Sequence, residues 1–429
     1  MTPHKPHRTV PKPLKEIHKE AHSGHTARSP LSPTSHSRHI STFSRFFASI
    51  FGSKNPLAQP ACPRKNIVWL LDNTAYQPVN NEDDEKTQPR RWHAEVVACI
   101  FETESREDVG KLVAAIADHI GLDGAVGADK EARHRIEERV QPFLNQISPS
   151  RTVTLKVPVS RPGQSHGLGP SDRHGIISQI IDMGDVNVGA QGTGISISDG
   201  TVLRPRLQDF GDEAVVMNTR FAEPEGWLVI SDIDDTIKHT MTLEPTGVLR
   251  TTFADIPRAV AGMPELYRYI ESELKPTWFY LSASPYNLYP FLHDFVDEFY
   301  VPGTLVLRDY SWMDITGLIK SFTEKTQEYK TERMERIHGW FPRRKVLCIG
   351  DSTQKDPEAY AEMYRRHPGW IQAIVIRKVM DVAHMEEKNL PQRFEEAFRD
   401  VPRHLWVVVE DPKEVYDFVD GLGMEEQVL

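Results

Sequence analysis

The C-terminal half of the sequence alternates short apolar runs with longer segments in which apolar residues recur every three or four positions. This alternation of strand-length and helix-length patterns predicts an α/β fold with a doubly wound parallel sheet, which we assign to residues 223–429. In sheets of this kind, ligands bind at the carboxyl ends of the strands. The predicted strands are Trp227–Ile230, Trp278–Leu281, Leu305–Leu307, Val346–Ile349, Ala373–Ile376 and Leu405–Val409.

A different pattern, richer in alternating apolar and polar positions, covers residues 63–222. It predicts a β-rich α+β domain, with strands such as Ile67–Leu71. Amphipathic helices are predicted at Glu107–Ile120 and Asp129–Val140, and Pro142 is expected to end the second one. We find no catalytic motif in this part of the sequence.

The first 60 residues resemble neither region. Residues 1–40 are rich in Pro and His and lack apolar periodicity, so we predict that they are disordered. In residues 41–52, the large apolar side chains fall on one face of a helix: Phe43, Phe46, Phe47, Ile50 and Phe51. This face favours either a short helix packed on the folded body, which is the slightly better interpretation, or a peripheral membrane helix.

Charge is divided unevenly along the chain. The 429 residues carry a net charge of −10, from 51 basic and 61 acidic side chains. Residues 1–60 contain nine Lys and Arg but two acids, so the tail is +7 and the other 369 residues are −17. The acidic body argues against nucleic acid as a partner, whereas the basic tail suits an anionic membrane surface. Three cysteines, and no apolar run of about 20 residues, predict a cytoplasmic protein.

Candidate chemistry lies where the predicted strands end. Asp232 and Asp234 follow the first strand, Ser282 follows the second, and Asp351 follows the fourth. Lys330 lies in the predicted helix before that fourth strand. Because the carboxyl ends of parallel strands meet at one edge of a sheet, we expect these side chains to converge on one crevice.

The spacing of the acids points to a metal. Two carboxylates at positions i and i+2, here Asp232 and Asp234, repel each other unless a cation neutralises them. Mg²⁺ is the usual cation, and Asp351 would supply a further ligand. Lys330 would offset the remaining negative charge, and Ser282 would donate a hydrogen bond to a phosphoryl oxygen. Such a site suits phosphoryl transfer.

Four motifs in this order resemble those of the haloacid dehalogenase superfamily. They are DxDxT at Asp232 to Thr236, the second motif at Ser282, the third at Lys330, and GDxxxxD at Gly350 to Asp356. The blocks ISDIDDTIKHT, YLSASPYNLYPFL, LVLRDY and IGDSTQKDPEAYAEMYRRHP further resemble the fungal actin-patch-protein phosphatidate phosphatase family, closely over about residues 225–380.

The resemblance implies a reaction and roles for the motif residues. Family members dephosphorylate phosphatidate to diacylglycerol with Mg²⁺ and associate with cortical actin patches and endocytosis. By position, Asp232 would be the nucleophile that forms an aspartyl-phosphate, Asp234 the acid and then the base, and Thr236 the residue that orients the loop. Asp232, Asp234, Asp351 and Asp356 would hold the metal, and Asp356 is expected to orient its neighbours more than to bind directly.

Some residues keep a second interpretation. Ser284 is an alternative to Ser282 as the phosphate donor, and the paired aspartates of the first motif could merely cap a helix. Lys330 has polar neighbours and could be a solvated helix lysine. Asp235 occupies a variable position of its motif, so we expect it to have a structural role.

Spacing also bears on the substrate. Asp232 and Ser282 are 50 residues apart, and Ser282 and Lys330 are 48 residues apart, so neither gap holds a large cap domain. An open crevice favours a large or surface-held substrate. A phosphatidate in a membrane fits, and so does a phosphoprotein. The alternatives to a lipid phosphatase are therefore a phosphoprotein phosphatase, or a membrane or endocytic adaptor with secondary catalysis.

Overall fold

The structure is a computed structural model, and it describes residues 58–78, 91–105, 109–122, 128–158, 165–185, 197–210, 216–309, 326–380, 382–383 and 385–424. The predicted disordered tail and the predicted amphipathic segment 41–52 lie outside the described residues. In the part of the chain that is described, no helix is both long and apolar enough to cross a membrane.

Eleven strands lie among the described residues before residue 222. They form a seven-stranded sheet in the order β2-β4-β3-β11-β9, with β5 and β8 also paired to β4, and a smaller sheet around β6. The strands are β1 Gln59–Pro60, β2 Asn66–Leu70, β3 Asn73–Tyr76, β4 Arg91–Ser105, β5 Asn145–Ile147, β6 Arg151–Lys156, β7 His166–Leu168, β8 Ile176–Asp185, β9 Val202–Leu203, β10 Arg206–Leu207 and β11 Thr219–Phe221.

The long strand β4 shows why this region needs a partner on each face. Its side chains alternate between the two faces of the sheet, as the period of a strand requires. Ala94, Val96 and Ala98 pack into the core shared with the smaller sheet. Cys99 and Phe101 face the other way, into the core shared with the C-terminal half of the chain. Residues 58–222 therefore form a β-rich layer that is covered on both faces.

Two helices of this region pack on the C-terminal half. They are α1 Val109–His119 and α2 Ala128–Leu144. The prediction that Pro142 ends the second helix is wrong, because α2 continues through Pro142 to Leu144. Packing outweighs the missing backbone donor: Phe143 is buried against Phe253, with ring centroids 5.6 Å apart, and Asn287 donates to the Pro142 carbonyl at 3.0 Å.

The C-terminal half contains the predicted parallel sheet. Its six strands are all parallel in the order β14-β13-β12-β15-β16-β17, so the predicted doubly wound α/β fold is confirmed. The strands are β12 Trp227–Asp232, β13 Thr277–Pro285, β14 Thr304–Arg308, β15 Lys345–Asp351, β16 Ile371–Arg377 and β17 Trp406–Val409.

Helices cover both faces of this sheet. Alternate strand residues point to opposite faces, so Val229 and Leu347 enter one apolar cluster while Leu228 and Cys348 enter another. The helices are α3 Pro245–Leu249, α4 Met263–Leu274, α5 Tyr289–Phe299, α6 Thr326–Trp340, α7 Asp356–Arg366, α8 Pro391–Ala397 and α9 Tyr416–Met424, and a π-helical turn at Arg250–Ala254 follows α3.

Candidate active site

The carboxyl ends of the central strands bring the predicted residues together. Strand β12 ends at Asp232, and its neighbours β13 and β15 carry Ser282 and Asp351 at the same edge. Asp232 and Asp351 are at most 1% exposed, and Ser282 is fully buried. The predicted convergence of these side chains is therefore present in the fold.

Lys330 connects two of the acids. Its Nζ atom donates to Asp232 Oδ1 at 2.6 Å and forms an ion pair with Asp356. All three side chains are buried. Lys330 is therefore not a solvated helix lysine: α6 delivers it into the acidic site, where its charge partly compensates two carboxylates.

Thr236 bridges the two strand-end acids. Its hydroxyl lies 2.9 Å from Asp232 Oδ2 and 3.3 Å from Asp351 Oδ2. With Lys330 on Oδ1 and Thr236 on Oδ2, both oxygens of Asp232 are held in place. The loop after β12 thus fixes the rotamer of the residue predicted to be the nucleophile.

Asp234 points to a different set of partners. Ser282 donates to its Oδ2 at 2.6 Å, and the Ser284 hydroxyl lies 3.3 Å from the same oxygen. Thr240 donates to Oδ1 at 2.9 Å. Both serines considered from the sequence therefore reach Asp234, and Ser282 makes the shorter contact. Because its oxygens accept from three hydroxyls, the Asp234 carboxylate is held apart from the acids around Lys330.

Asp235 stabilises the loop, as expected of a structural residue. It adopts a left-handed backbone conformation with φ of 62°. Its carboxylate accepts from the backbone amides of Thr240, Met241 and Thr242 at 2.7–2.9 Å, and from the Thr242 hydroxyl at 2.6 Å. Arg377 donates to its carbonyl at 2.6 Å. These bonds stabilise the turn that follows Asp232 and Asp234.

Lys238 is a buried residue that the sequence reasoning missed. Its Nζ atom donates to the Thr240 hydroxyl at 3.1 Å, and Thr240 in turn donates to Asp234. It also lies 5.4 Å from the ring centroid of Phe291. Burial lowers the pKa of Lys238, although Asp234 and Asp235 oppose this effect. Lys238 lies in a polar stretch of the sequence without apolar periodicity, so only the tertiary structure shows that it is buried near Asp234.

The GDxxxxD segment arranges the remaining acids. Asp356 accepts from the backbone amide of Asp351 at 3.1 Å through Oδ2, while its Oδ1 faces Lys330. A side chain at Gly350 would have its Cβ only 2.5 Å from Asp356 Oδ2. The motif glycine is thus required by the close approach of a carboxylate.

Burial of so many acids changes their protonation. Burial raises the pKa of Asp232 well above its usual value; Lys330 opposes this effect, and the neighbouring acids add to it. Burial and Asp356 raise the pKa of Asp351 to about 7. Burial alone would lower the pKa of Lys330, but Asp232 and Asp356 raise it, so its ammonium group stays charged.

The acidic group has the composition of a divalent cation site. One oxygen from each of Asp232, Asp351 and Asp356 lies within 4.8 Å of the others, and all three residues are buried. Three carboxylates and one ammonium leave a net charge of −2 when ionised, and burying such a charge without compensation is costly. An all-oxygen donor set suits a hard cation. The carboxylate of Asp234, also suggested as a ligand by the sequence, is not in this group.

Comparison with known proteins adds independent evidence. Residues 227–378 match the family model described as the catalytic domain of phosphatidate phosphatase APP1. The chain is 31% identical to the phosphatidate phosphatase APP1 of Saccharomyces cerevisiae over an alignment of 160 residues. This alignment covers 37% of this chain and 27% of that protein. The chain is 28% identical over 187 residues to an uncharacterized protein of Schizosaccharomyces pombe, covering 42% of this chain and 30% of that protein.

The match to the family model covers the part of the fold that holds the acidic site. The chain spans 27% and 30% of the length of these two relatives, so the similarity is that of a domain. The resemblance inferred from the four motifs is confirmed: residues 227–378 are similar in sequence to the catalytic domain of phosphatidate phosphatase APP1.

Proposed function

We propose that this chain is a Mg²⁺-dependent phosphatidate phosphatase that releases diacylglycerol through an aspartyl-phosphate. One observation carries the proposal: a buried lysine holds the first aspartate of DxDxT inside a group of three buried acids, within the region that matches the family. A buried, charge-compensated carboxylate at the end of a parallel strand is what a nucleophile for phosphoryl transfer requires.

Asp232 would attack the phosphorus atom. A bond forms between its carboxylate and phosphorus, and the bond from phosphorus to the glycerol oxygen breaks. Lys330 supports the reactive form, because an adjacent ammonium favours the ionised carboxylate. Thr236 fixes the second oxygen, which limits the orientations available to Asp232.

Asp234 would move the proton. In its protonated form it gives its proton to the leaving glycerol oxygen, which becomes the hydroxyl of diacylglycerol. As a carboxylate it then removes a proton from the water that attacks the aspartyl-phosphate, which releases phosphate and restores Asp232. Ser282 and Thr240 hold its two oxygens and so orient it for both steps.

Asp232, Asp351 and Asp356 would hold the metal. When bound, Mg²⁺ would offset the negative charge of the phosphoryl group. Asp356 has both oxygens engaged by Lys330 and the Asp351 amide, so it orients these partners and completes the acidic set. We retain Asp234 as the acid and base and not as a carboxylate ligand, because it is not in the group of three acids whose oxygens lie within 4.8 Å of one another.

The substrate would be presented at a membrane surface. We propose phosphatidate, and related lipid phosphates, as substrates of a cytoplasmic protein that contacts membranes peripherally. Contact through residues 41–52, and recruitment to cortical actin patches by endocytic proteins, remain predictions from the sequence. Our proposed organisation is a tail, a β-rich domain at 63–222 and a phosphatase domain at 223–429. The boundary predicted at residue 60 is corrected, because Gln59–Pro60 pairs with β6 and belongs to the β-rich region.

The decisive experiment measures phosphate release from phosphatidate in detergent micelles, with Mg²⁺ and with a chelator. Loss of a nucleophile costs at least about 10³-fold in kcat, so Asp232→Asn should be close to inactive. Asp294→Asn, which alters an 87% exposed carboxylate, is the matched control and should keep full activity. Equal activity of Asp232→Asn and wild type would refute the mechanism, and faster release from phosphopeptides would refute the lipid substrate.

A further inference from the structure

A cavity lies between the seven-stranded sheet and the edge strand β14 of the parallel sheet. With its open mouth included, it contains about 740 Å³ of empty space. Apolar side chains from both sheets and from α6 line it, among them Leu71, Val97, Leu305 and Trp340. Ser178 is exposed and also lines the cavity, which therefore opens to solvent beside β8. Clefts with such an apolar lining commonly receive small molecules or parts of larger ones.

The charged side chains of the cavity neutralise one another. Each acid that lines it has a basic partner, and the pairs are Glu95 with Arg336, Asp309 with Arg333 and Asp72 with His293. A charged ligand would therefore have to break an existing ion pair. The lining favours an occupant that is apolar with at most an uncharged polar group.

One uncharged polar atom in the lining lacks a partner. Asn73 is only 7% exposed, and its amide nitrogen donates to the Glu95 carbonyl at 2.8 Å. Its Oδ1 atom has no hydrogen-bond partner among the described residues, and neither has Nε of Arg333. An unpaired buried polar atom is costly. An ester carbonyl inside the cavity would accept from Arg333 Nε and remove part of that cost, whereas Asn73 Oδ1, itself an acceptor, would need a hydroxyl or a water molecule as its donor.

The cavity and the candidate active site share two elements. Arg333 follows Lys330 by three residues in α6, a rise of about 4.5 Å along the helix. Tyr286 lines the cavity two residues after Ser284, which contacts Asp234. One end of the cavity is therefore built on the same segments of chain that carry Lys330 and Ser284.

We propose that this cavity receives one acyl chain of the lipid phosphate whose phosphoryl group reacts at Asp232. The inference rests on the proposed function and adds the part of the lipid that the enzyme recognises. The carbonyl of the glycerol ester accepts from Arg333 Nε, and the first methylene groups of the chain lie among Leu71, Val97 and Leu305. The β-rich region thereby contributes directly to lipid selection.

A bulky residue at the mouth tests the proposal without disturbing the core. Ser178→Trp should lower kcat/KM for dioleoyl phosphatidate in micelles by about tenfold, which corresponds to losing the burial of two methylene groups. Its kcat/KM for water-soluble dibutyryl phosphatidate should change by less than about twofold. Ile180→Trp is the matched control, because Ile180 lies two residues along the same strand, is 49% exposed and does not line the cavity. It should leave both values unchanged.

A second variant fills the cavity from inside. Val97 pairs with Ser178 across the strands and is half-buried, so Val97→Phe should reproduce the selective loss on the long-chain lipid. Thermal unfolding establishes that each variant is folded before its kinetics are interpreted. Equal losses on the two lipids, or no loss on either with both variants, would overturn the proposal and leave the cavity as a water-filled gap.

A binding measurement separates this inference from the proposed reaction. In Asp232→Asn, phosphatidate with a brominated acyl chain should quench the fluorescence of Trp340, which lines the cavity. The quenched fraction should fall when Trp340→Phe is added, and quenching that does not change would overturn the inference. If wild type hydrolyses neither lipid while Trp340 fluorescence is still quenched, the proposed reaction is refuted and the acyl-chain site in the cavity is supported.

Discussion

At the scale of single residues, the acidic site depends on one cation from the protein itself. Lys330 contacts Asp232 and Asp356, and none of the three reaches solvent. Ion pairs of this kind are costly to break, because the partner left behind remains buried with its charge. The same lysine therefore serves both the stability of the site and the ionised state of Asp232.

Replacing this lysine should destabilise the protein. For Lys330→Met we expect a loss of about 3–5 kcal/mol in the free energy of unfolding, because two buried carboxylates lose their cation. Urea denaturation in the presence of a chelator measures it. Lys413→Met, at an exposed lysine, should change the free energy by less than about 0.5 kcal/mol. A Lys330→Met protein as stable as wild type would contradict the assigned ion pairs.

Gly350 offers a test of geometry rather than charge. In Gly350→Ala the new Cβ would lie 2.5 Å from Asp356 Oδ2 and 2.7 Å from its Cβ, so Asp356 must move. Since a displacement of about 1 Å can cost 10²-fold in rate, we expect kcat for phosphate release to fall by about that factor. Gly339→Ala is the control, because a Cβ there meets no atom within 4 Å. Unchanged kcat in Gly350→Ala would show that the position of Asp356 is unimportant.

At the scale of elements, a half-buried polar cluster ties the β-rich sheet to α5. Asp72 accepts from the backbone amide of Asn218 at 2.7 Å and from its side chain at 2.8 Å, and His293 of α5 lies 3.2 Å from the same carboxylate. The Tyr289 hydroxyl donates to the Asp72 amide at 2.8 Å. The contact holds together two elements 217 residues apart in sequence.

This cluster should make stability depend on pH. The hydrogen bond to Asp72, with help from Asp297 and Asp294, raises the pKa of His293 above 6.5, although burial opposes the rise. Burial alone would raise the pKa of Asp72, but the bonds from His293 and Asn218 lower it below 3.8. The stabilisation by His293 is thus complete below pH 6.5 and is lost as pH rises through its folded pKa. The stabilisation by Asp72 is present above pH 3.8 and is lost as pH falls through the lowered pKa of the folded protein.

The variant His293→Gln isolates the effect. We expect it to be about 1 kcal/mol less stable than wild type near pH 5.5, and the difference should shrink by about pH 8. Urea denaturation at a series of pH values provides the measurement. His404→Gln, at an exposed histidine, should show no such trend. A difference that grows with pH would contradict the assigned direction.

At the scale of the whole molecule, the β-rich region and the C-terminal region share a hydrophobic core. One apolar cluster contains Phe101 and Phe143 from the first region together with Leu249 and Phe253 from the second. Arg139 of α2 donates to the carbonyls of Thr252 and Asp255 at 3.0 and 2.7 Å. The loop that follows the DxDxT motif is therefore supported from outside the matched family region.

Removing the first region should expose this shared core. We expect residues 223–429 alone to unfold at a lower temperature than the full chain and to bind hydrophobic dyes more strongly, because buried side chains such as Phe253 lose their cover. Calorimetry and dye fluorescence on the two proteins test this. Equal unfolding temperatures would indicate that the shared core contributes nothing to the stability of the C-terminal region.

Much of the candidate site could be predicted because its residues are tied to strand ends. Apolar runs fixed the positions of β12, β13 and β15, and the polar residues after them had to meet at one edge. Lys330 was found through its motif, since its polar neighbours in the sequence suggested a solvated lysine. Lys238 and the Asp72 cluster gave no signal, because their partners are remote in sequence or belong to no motif.

The sequence by itself determined the parallel sheet, the order of the four motifs and the set of acids, because strand and helix periods are local properties of the chain. Only the tertiary structure decided which oxygens each acid presents, that Asp234 turns to Ser282 and Thr240, and that α2 continues past Pro142. These outcomes depend on packing between segments far apart in the chain. The cavity beside β14 is the clearest case, since its walls come from two sheets that no local pattern relates.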